Sequence, residues 1–257
     1  MKLSIITVTY NSDLTLSNTI QSVLQQSYNN IEYIIVDGLS RDRTIEIIKE
    51  YEPIFHGRLK WISEKDNGLY DAMNKGIKMA TGDIIGILNS DDIYIDKYVI
   101  EDVVVSILQK KVDAIYGNLY YVKKKDLSSI IRVWKGYPYP KCGFGRGWHP
   151  AHPTFFVKRV IYENFGYFDT SFKISADFEL MLRFLEKYHI NAVYIDRFMV
   201  KMRIGGESSA SLIKILEGNI NVMRAFEKND ISVSIFYPLL RLFPKIFDVL
   251  KSKFKWI

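Results

Sequence analysis

Four apolar runs set the fold class of this chain: Leu3–Thr9 and residues 33–36, 59–62 and 84–88. Continuous apolar runs bounded by polar residues suit strands covered on both faces. Between them the apolar residues recur at helical spacing: Leu16, Ile20, Val23 and Leu24, then Ile45, Ile48 and Tyr51, then Tyr70, Met73, Ile77 and Ala80. Each such stripe is the buried face of an amphipathic helix. The β-α-β-α order predicts a three-layer α/β/α domain with a mostly parallel central sheet. Residues 112–116 read as a further strand.

The second half changes character. Residues 119–125 and 130–134 read as paired strands around a lysine-rich turn, and 136–153 as a loop rich in Gly, Pro and aromatics. Residues 176–188 read as a helix with Phe178, Met181, Leu182 and Leu185 on its core face, and 192–195 as a late strand. A boundary near Gly117 divides 1–117 from 118–210 within one compact unit, and 211–257 reads as a basic amphipathic helical extension. The 257 residues, 48% hydrophobic, suffice for one full core with a small appended lobe.

Each early strand ends in a polar cluster: Thr9-Tyr10-Asn11, Asp37-Gly38, Glu64-Lys65-Asp66-Asn67-Gly68 and Asn89-Ser90-Asp91-Asp92. Open α/β sheets bind ligands at the carboxyl ends of their strands, so four clusters at four such ends predict one ligand cleft. Asp91 and Asp92 repel each other and resist desolvation. A hard divalent cation that itself holds phosphates removes that conflict. The plainer reading of the tetrapeptide is a solvated turn that caps a following helix.

Other nucleotide folds leave no trace. No G-x-G-x-x-G follows the first strand, and no G-x-x-x-x-G-K-[ST] is present. Thr7-Val8-Thr9 stands where an aspartyl phosphatase would carry its paired acids. The sequence instead resembles the family 2 glycosyltransferases, inverting enzymes with the A-type nucleotide-sugar fold. The matching stretches are residues 5–11, 35–44, 63–76, 89–92 and 175–183. The third, Ser63-Glu64-Lys65-Asp66-Asn67-Gly68-Leu69-Tyr70-Asp71-Ala72-Met73-Asn74-Lys75-Gly76, is similar to the subgroup that builds bacterial O-antigens and capsules.

The resemblance implies roles residue by residue. Thr9, Tyr10 and Asn11 flank the nucleotide. Asp37 accepts a hydrogen bond from the uracil ring N–H; as a helix N-cap it would be redundant, because Ser40 fills that place. Asp66, Gly68 and Lys75 lie where the family contacts base, ribose or diphosphate, although Lys75 also reads as a solvated helix residue. Asn89 and Ser90 line the donor. Asp91, with Asp92, holds Mg²⁺ or Mn²⁺, which stabilises the departing diphosphate. Asn89 replaces the first acid of the family's D-x-D signature and adds no charge. Asp177 is the general base that takes the acceptor hydroxyl's proton, against the plainer reading of an N-cap acid. His152 borders the acceptor. Arg203 clamps the pyrophosphate or makes a surface ion pair. Residues 205–211 and 143–147 are candidate lids.

The formal charge is +6, and residues 211–257 carry eight basic against four acidic residues. A basic excess confined to the tail disfavours a nucleic-acid binder. Leu239, Phe243, Ile246, Leu250, Phe254 and Ile257 fall on one stripe of a basic helix, interrupted by Pro244, which suits an anionic membrane surface or packing on protein, including a homodimer. The single cysteine, Cys142, fits a reducing compartment. Residues 1–8 read as a strand rather than a signal peptide. The expected location is cytoplasmic, peripheral on the inner face of the cell membrane if residues 234–257 bind it. The expected activity transfers a sugar from a nucleotide-sugar donor, UDP-linked, to a glycan or lipid-linked acceptor. A nucleotidyltransferase, or a catalytically silent nucleotide- or glycan-binding module, is the alternative.

Overall fold

The computed structural model describes residues 1–139, 143–205 and 212–238. Within them the chain runs β1 (Leu3–Thr9), α1 (Leu16–Leu24), β2 (Ile31–Asp37), α2 (Thr44–Tyr51), β3 (Leu59–Ser63), α3 (Leu69–Met79) and β4 (Ile84–Ile87). It continues through β5 (Ile93–Tyr94), α4 (Val99–Lys110), β6 (Ala114–Lys123), β7 (Asp126–Trp134), β8 (Phe156–Lys158) and α5 (Arg159–Phe165). It ends with α6 (Ala176–Leu182), β9 (Ala192–Arg203) and α7 (Leu212–Lys228).

All nine strands among the described residues join one sheet, in the order β3-β2-β1-β4-β8-β6-β9-β5, with β7 on β6. The first four are parallel, as their apolar runs predict. The other half mixes directions: β8 is antiparallel to β4 and β6, β7 to β6, and β5 to β9, while β6 and β9 run parallel. Every residue of β1 and β2 is buried. Alternate side chains enter two cores. One holds Ile6, Val8, Ile34 and Val36 with Met73 and Ile77 of α3; the other holds Leu3, Ile5, Tyr33 and Ile35 with α1, α2 and α4. Each buried Ile or Leu stabilises the fold by about 1.5–3 kcal/mol, so helices are required on both faces. Gly86 admits the close approach of β8, because a Cβ there would stand 2.4 Å from the Phe156 ring.

Several elements depart from the sequence reading. Residues 112–116 and 119–125 are one strand, β6, interrupted by a register shift beside Gly117, so the expected halves share a strand. The late strand runs on from residue 195 to Arg203. The helix expected over 176–188 is α-helical to Leu182 and a π-helix over Arg183–Lys187. Helix α7 buries Val222, Ala225 and Phe226 in the main core, and Tyr237 packs edge-on against Phe226 at 5.0 Å. Residues 212–238 therefore share a core with the rest. Residues 239–257, most of 205–211, and Cys142 lie outside the described residues. In the 143–147 segment Phe144 is fully buried, edge-on to Phe178 at 5.2 Å, so this stretch is anchored by its aromatic ring.

Candidate active site

The parallel register lines up three polar residues at the carboxyl ends of neighbouring strands: Thr9 opposite Asp37, and Asp37 opposite Ser63. Asp37 is buried and takes hydrogen bonds from the Ser40 N–H (3.0 Å), the Ser40 hydroxyl and the Ser63 hydroxyl (2.7 Å). Ser40 thus organises the Asp37 loop rather than capping a helix. α2 starts at Thr44, whose N–H is bound by Asp42 at 3.0 Å, because the Asp42 carboxylate is the acceptor that reaches the first turn. The neighbouring loop is stitched on by Asn11: its N–H donates to Ser40 Oγ, and its Oδ1 accepts from the Arg41 N–H, both at 2.8 Å. Asn11 has φ 49°, a left-handed conformation that Asn tolerates. Tyr10 is exposed, and the buried Thr9 Oγ1 has no hydrogen-bond partner.

Asp66 lies against this row, its Oδ2 3.0 Å from where a Cβ on Gly38 would stand. Lys75 Nζ reaches Asp66 at 2.6 Å, Glu64 at 2.8 Å and the Lys65 carbonyl at 2.8 Å. Lys75 is therefore an ion-pair hub that ties the 64–68 loop to α3, not a solvated helix residue. Burial raises the Asp66 pKa, and Lys75 opposes the rise. Burial also works against the Lys75 charge, yet its bonds to Asp66 and Glu64 hold the ammonium above its ordinary range. Gly68 starts α3 with φ +113°, a conformation that favours glycine.

The acidic loop is held by its backbone. The Leu88 carbonyl accepts from Thr7 Oγ1 and the Asp92 carbonyl from Thr19 Oγ1, each at 2.7 Å, and Ser90 Oγ meets Ser12 Oγ at 2.9 Å. Arg203 donates from Nη1 to the Asp91 carbonyl, from Nη2 to Asn18 Oδ1 (3.0 Å) and from Nε to the Lys124 carbonyl (3.2 Å). At 4% exposure it is not in a surface ion pair. Asp91 is half-buried, and burial raises its pKa while Arg203 and Lys124 lower it. Asp92 is fully buried; desolvation and then the Asp91 charge push its carboxyl well up.

The loop's oxygens fit a hard cation. Asp92 Oδ1 and Asn89 Oδ1 are buried without hydrogen-bond partners. An all-oxygen set suits Mg²⁺ or Mn²⁺ rather than a soft metal. Among the described residues no three His, Cys, Asp or Glu side chains converge on one point.

Asp177 stands in the first turn of α6, half-buried, and Tyr70 of α3 donates to its Oδ1 at 3.1 Å. His152 lies close enough to feel the Asp177 charge; burial lowers its pKa and Asp177 opposes this. Glu179, the other acid in that turn, is 1% exposed and bound by Arg183 at 2.9 and 3.1 Å and by Asn229 at 3.1 Å. Those bonds make it structural. Burial raises the pKa of Tyr121 on β6 to about 12; Arg132 opposes the rise, and the charges of Asp92 and Asp177 add to it. Neither Tyr70 nor Tyr121 stands out in the sequence, where Tyr70 reads as one more residue of an apolar stripe.

A mixed sheet whose parallel half ends in polar loops is shared with the A-type fold of nucleotide-sugar transferases. The chain belongs to glycosyl transferase family 2, matching it over residues 4–174. It is 28% identical over 242 residues to the Escherichia coli UDP-Glc:alpha-D-GlcNAc-diphosphoundecaprenol beta-1,3-glucosyltransferase WfgD, covering 92% of this chain and 90% of that one. Among solved structures it resembles S. aureus TarS 1-349 in complex with UDP-GlcNAc (TM-score 0.68, 18% identity, 100% of this chain and 73% of that one). It also resembles the Pyrobaculum calidifontis mannosyltransferase PcManGT in complex with GDP-Man and Mn²⁺ (TM-score 0.66, 16% identity, 98% and 73%).

Proposed function

We propose that this chain is an inverting, metal-dependent glycosyltransferase that moves a sugar from a UDP-linked donor to a lipid-linked glycan acceptor in surface polysaccharide synthesis. The observation that carries this reading is the Tyr70 hydrogen bond to Asp177, which joins the proposed base to α3, the helix whose Lys75 holds the Asp66 loop against Gly38. Thr9, Tyr10, Asn11 and Asp37 sit where the uridine would lie, and Asp66, Gly68 and Lys75 border its ribose and diphosphate. Asp91 and Asp92, with Asn89 and Ser90 beside them, would hold Mn²⁺ or Mg²⁺, which when bound neutralises the diphosphate and stabilises it as the leaving group. Arg203 keeps that loop in place from behind.

Asp177 accepts the proton of the acceptor hydroxyl as its oxygen attacks the anomeric carbon from the face opposite the diphosphate. One base and one displacement invert the anomeric configuration. His152 flanks the acceptor. Similarity to WfgD, whose name specifies a UDP-glucose donor and a diphosphoundecaprenol acceptor, supports a UDP donor and a lipid-linked acceptor. No helix of the described residues is long and apolar enough to cross a membrane. Ile235 and Phe236, 80% and 61% exposed beside the buried Tyr237, would be among the residues of 234–257 that touch a membrane.

The test is transfer from UDP-sugars with Mn²⁺ to a GlcNAc-diphosphate-lipid probe, alongside UDP calorimetry. Asp177→Asn abolishes transfer and leaves UDP binding intact; retained turnover removes Asp177 from its role.

A further inference from the structure

We propose that Tyr70 is the positioning residue for the base: it fixes the Asp177 carboxylate by one oxygen, leaves the other for the acceptor hydroxyl, and links the base to the helix bordering the donor. This rests on the reading of Asp177 as base.

The Tyr70 hydroxyl donates to Asp177 Oδ1 at 3.1 Å across 107 residues of sequence. It is the one hydrogen bond made by that carboxylate among the described residues. Oδ2 is therefore the oxygen available to an incoming hydroxyl.

The phenol is itself locked. Its ring stacks on Phe168 (centroids 5.5 Å, interplanar 26°). Phe168 is held by Asn74, one turn further along α3: Asn74 Nδ2 donates to the Phe168 carbonyl at 2.8 Å, and the Phe168 N–H donates to Asn74 Oδ1 at 2.9 Å. Tyr70 and Asn74 thus grip the segment that leads into α6. His152 also meets Phe168 edge-on at 5.5 Å. Burial first, and the Asp177 charge second, raise the Tyr70 pKa well above its ordinary value, so the phenol stays a proton donor across the working range.

The same helix carries Lys75, which ties down the Asp66 loop. A rigid helix with one side chain on the donor loop and another on the base sets the distance between them. Positioned groups of this kind raise reaction rates by removing misaligned encounters.

The experiment measures transfer from UDP-glucose with Mn²⁺ to a GlcNAc-diphosphate-lipid probe by the full chain, Tyr70→Phe and Asp177→Asn, with UDP calorimetry and urea midpoints alongside. The ring and its stack survive Tyr70→Phe; only the hydroxyl is lost. Tyr70→Phe lowers kcat about tenfold or more at unchanged KM for both substrates, with UDP binding as in wild type. An unchanged kcat overturns the proposal, as does a raised KM with unchanged kcat or a loss of rate that follows a lowered urea midpoint. Retained turnover in Asp177→Asn would remove the base reading instead, whatever Tyr70→Phe does.

Discussion

Arg203 offers a direct test of how the acidic loop is supported. Arg203→Met keeps the length and apolar stem but removes all five N–H donors. Three acceptors then lose a charged partner: the Asp91 carbonyl, Asn18 Oδ1 and the Lys124 carbonyl. Asn18 and Lys124 are exposed, so water replaces the guanidinium there at little cost. The Asp91 carbonyl lies beneath the loop, and a lost hydrogen bond from a charged donor costs about 1.5–3 kcal/mol. Burial of the guanidinium opposes part of this, since desolvation is the main influence lowering its pKa. The net loss is about 1–3 kcal/mol, read from the urea midpoint at constant slope. Arg203→Lys recovers less than half, because one ammonium cannot span three acceptors set for a fork. By calorimetry, Mn²⁺-dependent UDP binding weakens with the loosened loop, whereas metal-free uridine binding does not change. A wild-type midpoint combined with a UDP defect would refute the clamp and place the guanidinium on the phosphates.

At the opposite end of the sheet, Glu32 is 2% exposed and accepts from Lys2 (3.1 Å), Lys60 (2.8 Å), Ser4 (2.7 Å) and Thr81 (2.8 and 2.9 Å). Burial opposes its charge, but these bonds hold its carboxyl well below the usual range. A depressed pKa gives stability that is complete above the unfolded value of about 4.3 and is lost as pH falls below it. Glu32→Gln, which leaves the Thr81 N–H facing an amide donor, costs about 2–4 kcal/mol at pH 7. The gap to wild type narrows by about 1.4 kcal/mol per unit below pH 4; urea titrations showing an equal gap at pH 7 and 3.5 would contradict the network. Gly86→Ala drives a methyl into the Phe156 ring and costs about 1–3 kcal/mol. Adding Phe156→Leu recovers part of that loss, and strict additivity in the double mutant would rule out the clash.

Strands with continuous apolar runs were legible because burial on both faces leaves no other composition. β5 and β8 were not, since two and three residues carry no period. Helix α4, rich in Val and Ile, gives no clear helical signal against a strand. The register shift at Gly117 divided one strand into two. At the site, Thr9, Asp37 and Asn89–Asp92 were visible because polar residues ending buried strands are conspicuous. Tyr70 was hidden: its apolar ring satisfies the helix stripe, and its hydroxyl matters only through a residue 107 positions away. The chemistry of Arg203 was legible, but its partners were not, because β9 continues eight residues past the expected end at Ile195 before it reaches the loop.

The attachment of β7 has a consequence for how such a chain diversifies. It hydrogen-bonds to β6 alone, with register shifts along the pair, and presents Ile130, Ile131 and Val133 about half-exposed. Backbone changes in β7 disturb one strand ladder and the Trp134 contacts with Tyr121 and His149, whereas a change in β1 is felt by two strands and both cores. Insertions are therefore best tolerated along β7, where the sheet is least braced.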